Sequence, residues 1–173
     1  MRLKGKTIGV FIEDGFEDLE FWVTVMRLRE EGAEVRILGA SEGKPHRGKN
    51  GLEARASHPW RSARADDFTG LVVPGGWAPD KLRRVPEVLQ LVKDVHAKKG
   101  TLGFICHAGL VAISAKLVKG PCTGSLGIKD DLVNAGGTWK DEPAFRDGQL
   151  VWGRVVEDIP AFCRELVTAL AAA

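Results

Sequence analysis

The chain has 173 residues, of which 44% are hydrophobic and 28% are charged, and its formal net charge is +2. This composition supports a packed core and excludes an intrinsically disordered chain, and the length fits one domain over residues 1–173. The nearly balanced charge provides no basic surface for nucleic acid or for an anionic membrane, so neither is expected as a partner.

Cysteine usage and the first apolar segment predict a cytoplasmic protein. The three cysteines, Cys106, Cys122 and Cys163, are too few for a disulfide framework and odd in number, which indicates a reducing compartment. The apolar run at residues 8–12 is too short for a signal peptide, and two acidic residues follow it. No segment has the length of a transmembrane helix.

Strand and helix patterns alternate along the chain. Apolar runs predict buried strands at residues 7–12, 34–38, 71–73 and 103–106. Helices are predicted at residues 17–31, 110–117 and 128–135, and also after Pro86 and Pro160. Between them we expect a loop or irregular hairpin at 39–51, a short edge strand at 52–57, a hairpin at 144–151 and a helix cap at Asp158.

The first predicted helix is amphipathic. Its apolar residues Leu19, Trp22, Val23 and Met26 recur at helical spacing, which predicts that they form the buried face. Because strands alternate with helices throughout, we expect an α/β fold with a mostly parallel sheet between two helical layers. In such folds the chemistry gathers at the carboxyl ends of the strands.

Cys106 is the strongest candidate for chemistry. It stands where a predicted strand ends and a helix begins, so the chain must turn sharply and present the sulfur at the sheet edge. The helix N-terminus would stabilise a thiolate there. The alternative is a buried structural cysteine, because free cysteine is among the most buried residue types.

Two other side chains are candidates for proton transfer. His107 would serve as general base to the thiol, although neighbours on a helix rarely face each other, and the alternative is a solvent-facing residue. Glu17 either caps the first helix in a capping box with Asp14, which the spacing favours, or faces the thiol from the end of the first strand.

Glycines follow the third predicted strand at Gly75 and Gly76. Backbone N–H groups there, with that of His107, would form an oxyanion hole, and the alternative is a simple turn. The spacing around Asp80 favours a helix cap or a surface acid. Neither metal-binding spacing of histidines and cysteines nor a nucleotide-binding motif is present, so no metal and no cofactor are predicted.

Four motifs in chain order resemble the PfpI family of intracellular cysteine peptidases and protein deglycases, in the class I glutamine-amidotransferase-like superfamily. They read DGFEDLE at residues 14–20, VPGGWAPD at 73–80, ICHAG at 105–109 and GIKDDLVNAG at 127–136. This resemblance implies a flavodoxin-like three-layer sandwich with Cys106 as the nucleophile at an elbow. It also implies a hydrogen bond from Glu17 to the sulfur and an oxyanion hole formed by the Gly76 and His107 amides. In peptidase-like members an acid at the position of Asp80, commonly glutamate, reaches the histidine from a neighbouring subunit.

The resemblance further implies a cysteine-dependent hydrolase with deglycase or glyoxalase-like action on glyoxal or methylglyoxal adducts in stress protection. Its substrate would be a glycated protein, a peptide or a small aldehyde. The alternatives are a peptidase whose site is completed across subunits and a non-catalytic redox-sensing stress protein. A homodimer or hexamer is expected, with Trp77, Pro79 and Leu82 as candidate interface residues.

Overall fold

A seven-stranded sheet organises the protein in a computed structural model that describes residues 1–173. The order across this sheet is β10-β11-β7-β6-β1-β2-β5, and every pair is parallel except β10 with β11. The strands are β1 (Thr7–Phe11), β2 (Glu34–Gly39), β3 (Pro45–Arg47), β4 (Glu53–Arg55), β5 (His58–Pro59), β6 (Gly70–Val73), β7 (Thr101–Ile105), β8 (Pro121–Cys122), β9 (Thr138–Trp139), β10 (Ala144–Asp147) and β11 (Leu150–Gly153).

Helices cover both faces of this sheet. They are α1 (Asp18–Glu30), α2 (Ala78–Leu82), α3 (Pro86–Ala97), α4 (Gly109–Ser114), α5 (Lys129–Asn134) and α6 (Ile159–Ala172). The chain moves from β1 to β2 in one direction and from β6 to β7 in the other, so right-handed crossovers place α1 and α3 on opposite faces. Helix α6 packs against α1. None of the six combines the length and hydrophobicity that crossing a bilayer requires.

The predicted α/β sandwich is confirmed, and its main elements lie where the patterns placed them. The four predicted buried strands correspond to β1, β2, β6 and β7, and the predicted hairpin is β10–β11. The short strand predicted at residues 52–57 is present as β4, but it pairs with β3 in a separate hairpin rather than at an edge of the main sheet. Asp158 stands at the start of α6, yet its carboxylate bonds the Arg154 guanidinium instead of capping the helix.

The predicted buried face of α1 is wrong. Leu19, Val23 and Met26 are 47%, 40% and 60% exposed. The residues that enter the core are those one step further round the helix: Glu20, Phe21, Thr24, Val25 and Leu28. Both stripes have helical spacing, so periodicity alone could not choose between them. The choice was made by packing against the sheet and α6, which buries the stripe that contains the phenylalanine.

Helix α1 also holds the loop that joins β3 to β4. The buried carboxylate of Asp18 accepts the backbone N–H groups of Asn50 and Leu52 at 2.8 and 2.7 Å. Hydrogen bonds to a charged acceptor are the strong ones in proteins. This tether fixes residues 48–52 beside the carboxyl end of β1.

Asp18→Ala is expected to lower the free energy of unfolding by about 2 kcal/mol, because two partly buried N–H groups lose a charged partner. Urea denaturation would measure the change. The matched control is Asp131→Ala, which removes an exposed aspartate from the first turn of α5 and should cost at most about 1 kcal/mol. Equal losses in the two variants would contradict the tether.

Candidate active site

The chain turns sharply at Cys106, directly after β7. Its φ angle is +61°, in the left-handed region that costs a residue with a side chain about 1–2 kcal/mol. A 3₁₀ turn over Cys106–Ala108 leads straight into α4, and the Cys106 carbonyl accepts the Ser125 N–H at 3.1 Å. The predicted elbow is therefore present, with a partly buried thiol at its tip.

Two backbone N–H groups face the sulfur, from Gly76 and from His107. Gly76 has a φ angle of +76°, and a Cβ at this position would overlap the Gly15 carbonyl. Glycine is thus required for the β6 loop to bring its N–H to Cys106. These are the two donors that the resemblance implied for an oxyanion hole, and their role in a reaction remains a proposal.

A buried carboxyl group lies next to the sulfur. Glu20 is fully buried, accepts the Gly75 N–H at 2.7 Å through Oε2, and lies close enough to Cys106 for its charge to act on the sulfur. Burial raises the pKa of Glu20 to about 7, and the nearby Glu17 charge adds to the rise, while the Gly75 N–H opposes it. Near neutral pH this carboxyl group therefore exchanges a proton readily.

The surroundings of the sulfur favour its protonated form. Burial and the Glu20 charge raise the pKa of Cys106 to about 12, against the opposing effect of the Gly76 and His107 N–H groups. Burial thus opposes the stabilisation of a thiolate that is expected from the helix N-terminus, and helix α4, with six residues, is short.

His107 is placed to accept the thiol proton. Its Nδ1 lies 3.3 Å from Cys106 Sγ. Burial and the Lys49 charge lower the pKa of His107 below its usual value, which keeps the ring neutral at pH 7. Sequence neighbours can face each other here because the left-handed backbone of Cys106 precedes the helix. A base within reach of the proton that it must abstract meets the geometric requirement for general base catalysis.

Comparison with known proteins places the chain in a family. Residues 6–169 match the DJ-1/PfpI family. The chain belongs to the DJ-1/PfpI family. It is 35% identical to the protein named deglycase PfpI of Pyrococcus furiosus, over 90% of this chain and 93% of that protein. It is 34% identical to a putative cysteine protease, YraA, of Bacillus subtilis, over 95% and 98% of the two chains.

A solved structure from Anabaena variabilis has the same fold. It is a two-domain protein with DJ-1/ThiJ/PfpI-like and ferritin-like domains, and it superposes on this chain with a TM-score of 0.92 at 32% identity. The match covers 95% of this chain and 48% of that one, so the chain spans about half the length of the Anabaena protein. The DJ-1/PfpI fold and its flavodoxin-like sheet are thus shared over nearly the whole chain.

The acid beside the sulfur is Glu20, which corrects the assignment of this role to Glu17. Glu17 is the N-cap of α1: its Oε2 accepts the Glu20 N–H at 2.8 Å, and its Oε1 accepts the Asn50 side chain at 3.2 Å. Capping was the role that spacing favoured, although the capping box proposed with Asp14 is not formed. The sequence offered one signal for Glu20. It lies four positions before Thr24, so the two side chains share one face of α1, and the core buries that face.

Asp80 does not orient His107 within one chain. Its carboxylate pairs with Arg84 at 3.1 Å on the protein surface. Its contribution from a second subunit remains a proposal. Among the residues predicted for an interface, Trp77 is 67% exposed, whereas Pro79 and Leu82 are buried in their own chain and cannot serve.

The loop between β3 and β4 contributes a residue that the sequence did not reveal. The charge of Lys49 acts on both Glu20 and His107, so its side chain lies near the site. No motif marks this lysine, and its loop is held at the site by the tether to Asp18 and by the Lys49 N–H, which donates to the Phe16 carbonyl at 2.9 Å. Cys122 and Cys163 are buried and free, as predicted for structural residues.

Proposed function

We propose that this protein is a cysteine-dependent hydrolase that acts on glyoxal and methylglyoxal adducts of amino and thiol groups, in protection against stress. The observation that carries the proposal is the Cys106 sulfur, 3.3 Å from Nδ1 of a neutral His107 and faced by the Gly76 and His107 N–H groups. The relative named deglycase PfpI supports this chemistry, and the name of YraA supports a cysteine nucleophile.

In the proposed reaction, Cys106 Sγ attacks a carbonyl carbon of the adduct while His107 Nδ1 accepts the thiol proton. The carbonyl oxygen becomes an oxyanion, to which the Gly76 and His107 N–H groups donate, each worth about 3 kcal/mol of barrier. His107 returns the proton to the departing amine or thiol. Water adds to the aldehyde carbon that the departing group leaves behind. The hydrogen on that carbon then shifts to the neighbouring carbon as the bond to Sγ breaks, and a proton returns to the sulfur, so the products are the free thiol and a hydroxy acid, lactate in the case of methylglyoxal.

Peptide hydrolysis is the first alternative. Expelling the amine of a peptide requires a well-oriented general acid. In this chain Asp80 pairs with Arg84, so orientation of His107 would need Asp80 from a second copy. For this reason we favour adducts over peptides.

Redox sensing is the second alternative, and Glu20 favours it. A carboxyl group with a pKa of about 7 beside Sγ can donate a hydrogen bond to an oxidised sulfur. Such a bond would stabilise a sulfinic acid. Redox sensing also requires that peroxide reach the Cys106 thiol, which is partly buried.

Assembly as a homodimer or hexamer is part of the proposal. Leu19, Val23 and Met26 form an exposed apolar stripe on α1, and Trp77 is exposed beside the site loop. Apolar surface of this kind is commonly covered by another protein surface. A second copy of the chain is the covering partner that we propose.

The test measures lactate released from N-acetyllysine and N-acetylcysteine that have reacted with methylglyoxal. Free methylglyoxal is assayed in parallel, and fluorogenic peptides are the comparison substrates. We expect lactate from the adducts and no peptide cleavage. Peptide cleavage without lactate would support the peptidase instead. Absence of both, with peroxide oxidation of Cys106 seen by mass spectrometry, would support the redox sensor.

A further inference from the structure

A buried histidine away from the active-site thiol has no hydrogen-bond partner. The side chain of His46, in the middle of β3, is 0% exposed, and neither ring nitrogen makes a hydrogen bond. A buried polar group that is left unpaired destabilises the folded protein. Such a group is commonly satisfied by a water molecule or an ion, so the residues around the His46 ring indicate which partner it binds.

The ring of His46 faces two carboxylates. Its Nδ1 lies 3.4 Å from Glu13 Oε1 and 3.3 Å from Asp14 Oδ1, and the three ligand atoms lie within 4.8 Å of one another. Ligands bound to one ion at about 2.0–2.2 Å with tetrahedral angles are separated by roughly 3.3–3.6 Å. The two separations measured from His46 Nδ1 fall in this range, and the two carboxylate oxygens lie within 4.8 Å of each other, so the three groups are close enough to share one ion.

We propose that Glu13, Asp14 and His46 bind a divalent transition-metal ion, with Zn²⁺ as the probe. One imidazole nitrogen with two carboxylate oxygens suits Zn²⁺ and its neighbours in the first transition row, whereas Mg²⁺ and Ca²⁺ prefer oxygen ligands alone. The Glu13 side chain is 16% exposed, and its Oε1 accepts the Asp14 N–H at 2.8 Å, which holds this oxygen in front of the His46 ring. Asp14 is half exposed, which leaves a path for the ion and room for water as a further ligand.

This proposal departs from the sequence-based prediction of no metal site. That prediction rested on spacing among histidines and cysteines, whereas the proposed ligands are one histidine and two acids separated by a helix and a strand. Strand β1 ends just before Glu13, and the β3–β4 hairpin folds back over this end, with the Gly15 N–H bonded to the Arg47 carbonyl at 2.8 Å. The tertiary fold alone assembles the three ligands.

A bound ion would also stiffen the loop that carries Gly76. Phe16 forms an isolated β-bridge with Gly76, and the Gly15 carbonyl accepts the Trp77 N–H at 2.7 Å. Holding Glu13 and Asp14 against β3 therefore holds the segment on which that loop rests. We expect Zn²⁺ to raise the thermal midpoint of the wild-type protein by linkage.

The test is a Zn²⁺ titration by isothermal calorimetry on tag-free Cys106→Ser protein, which removes the partly buried thiol as a competing ligand. We expect one ion per chain and no comparable binding of Mg²⁺ or Ca²⁺. Glu13→Gln and Asp14→Asn, in the same background, should each weaken Zn²⁺ binding by roughly 10-fold or more. Glu42→Gln, which removes an exposed acid outside the cluster, should leave it unchanged.

Spectroscopy tests which atoms bind the ion, and a folding control tests whether the variants remain folded. Co²⁺ in place of Zn²⁺ should give d–d absorption bands without a thiolate charge-transfer band. Circular dichroism would show that Asp14→Asn, at a half-exposed position, remains folded. The proposal is overturned if the Cys106→Ser protein shows no saturable binding. It is also overturned if binding survives unchanged in both Glu13→Gln and Asp14→Asn, since the ion would then lie elsewhere.

Discussion

Cys106→Ser is expected to lower kcat/KM for methylglyoxal adducts by roughly 10³-fold or more, measured as lactate release. Serine at the elbow keeps the left-handed backbone and the two facing N–H groups. Its hydroxyl is a much weaker nucleophile than sulfur, and its proton is harder to remove. The variant therefore separates the chemistry of sulfur from the shape of the site.

The matched control for this substitution is Cys163→Ser. Cys163 is also a free cysteine, in α6, and its sulfur lies 3.8 Å from the Thr24 hydroxyl, so a serine there retains a hydrogen-bond partner. We expect kcat/KM in this variant to stay near that of the wild type. Retention of more than about a tenth of the wild-type kcat/KM by Cys106→Ser would place the nucleophile elsewhere.

Glu20→Gln is expected to stabilise the protein at pH 8 and to have little effect below pH 4.5. The folded protein raises the pKa of Glu20 from 4.5 to about 7, so between these values the folded state binds more protons than the unfolded state. Stability from this group is therefore fully present below pH 4.5 and is lost as the pH rises to about 7. At about 1.4 kcal/mol per pKa unit, the loss corresponds to roughly 3 kcal/mol.

Glutamine avoids this loss because it stays neutral, and its amide oxygen can still accept the Gly75 N–H that Glu20 binds. Urea denaturation of wild type and variant across this pH range would measure the difference in free energy of unfolding. Glu42→Gln is the control, since it neutralises an exposed glutamate. A variant no more stable than wild type at pH 8 would show that the Glu20 carboxylate is not penalised by burial.

Predictions from local sequence patterns were correct where the pattern is typical of a single structure. A continuous apolar run such as residues 71–73, followed directly by proline and glycine, is typical of a strand covered on both faces, and β6 spans Gly70–Val73. The elbow at Cys106 followed in the same way, because a strand that ends where a helix begins must turn there. The motif resemblance added the two N–H donors, from Gly76 and His107.

The wrong predictions concern sequence patterns that two different local structures satisfy equally well. Helix α1 has two stripes with the same spacing, so the sequence did not show that Glu20 rather than Leu19 faces the core. Glu17 and Glu20 are both acids in or next to the first turn of that helix, and only packing separates the cap from the neighbour of the sulfur. The protonation of Cys106 depends on burial, which periodicity does not measure.

By itself, the sequence determined the alternation of strands and helices, the parallel sheet, and the position of a cysteine at its edge, because each follows from local apolar patterns and the order in which they occur along the chain. Only the tertiary structure decided which acid lies beside the sulfur, that burial favours the thiol form of Cys106, and that His46 meets Glu13 and Asp14. These contacts join residues far apart in sequence, and their energies come from burial and charge proximity, which exist only once the chain has folded.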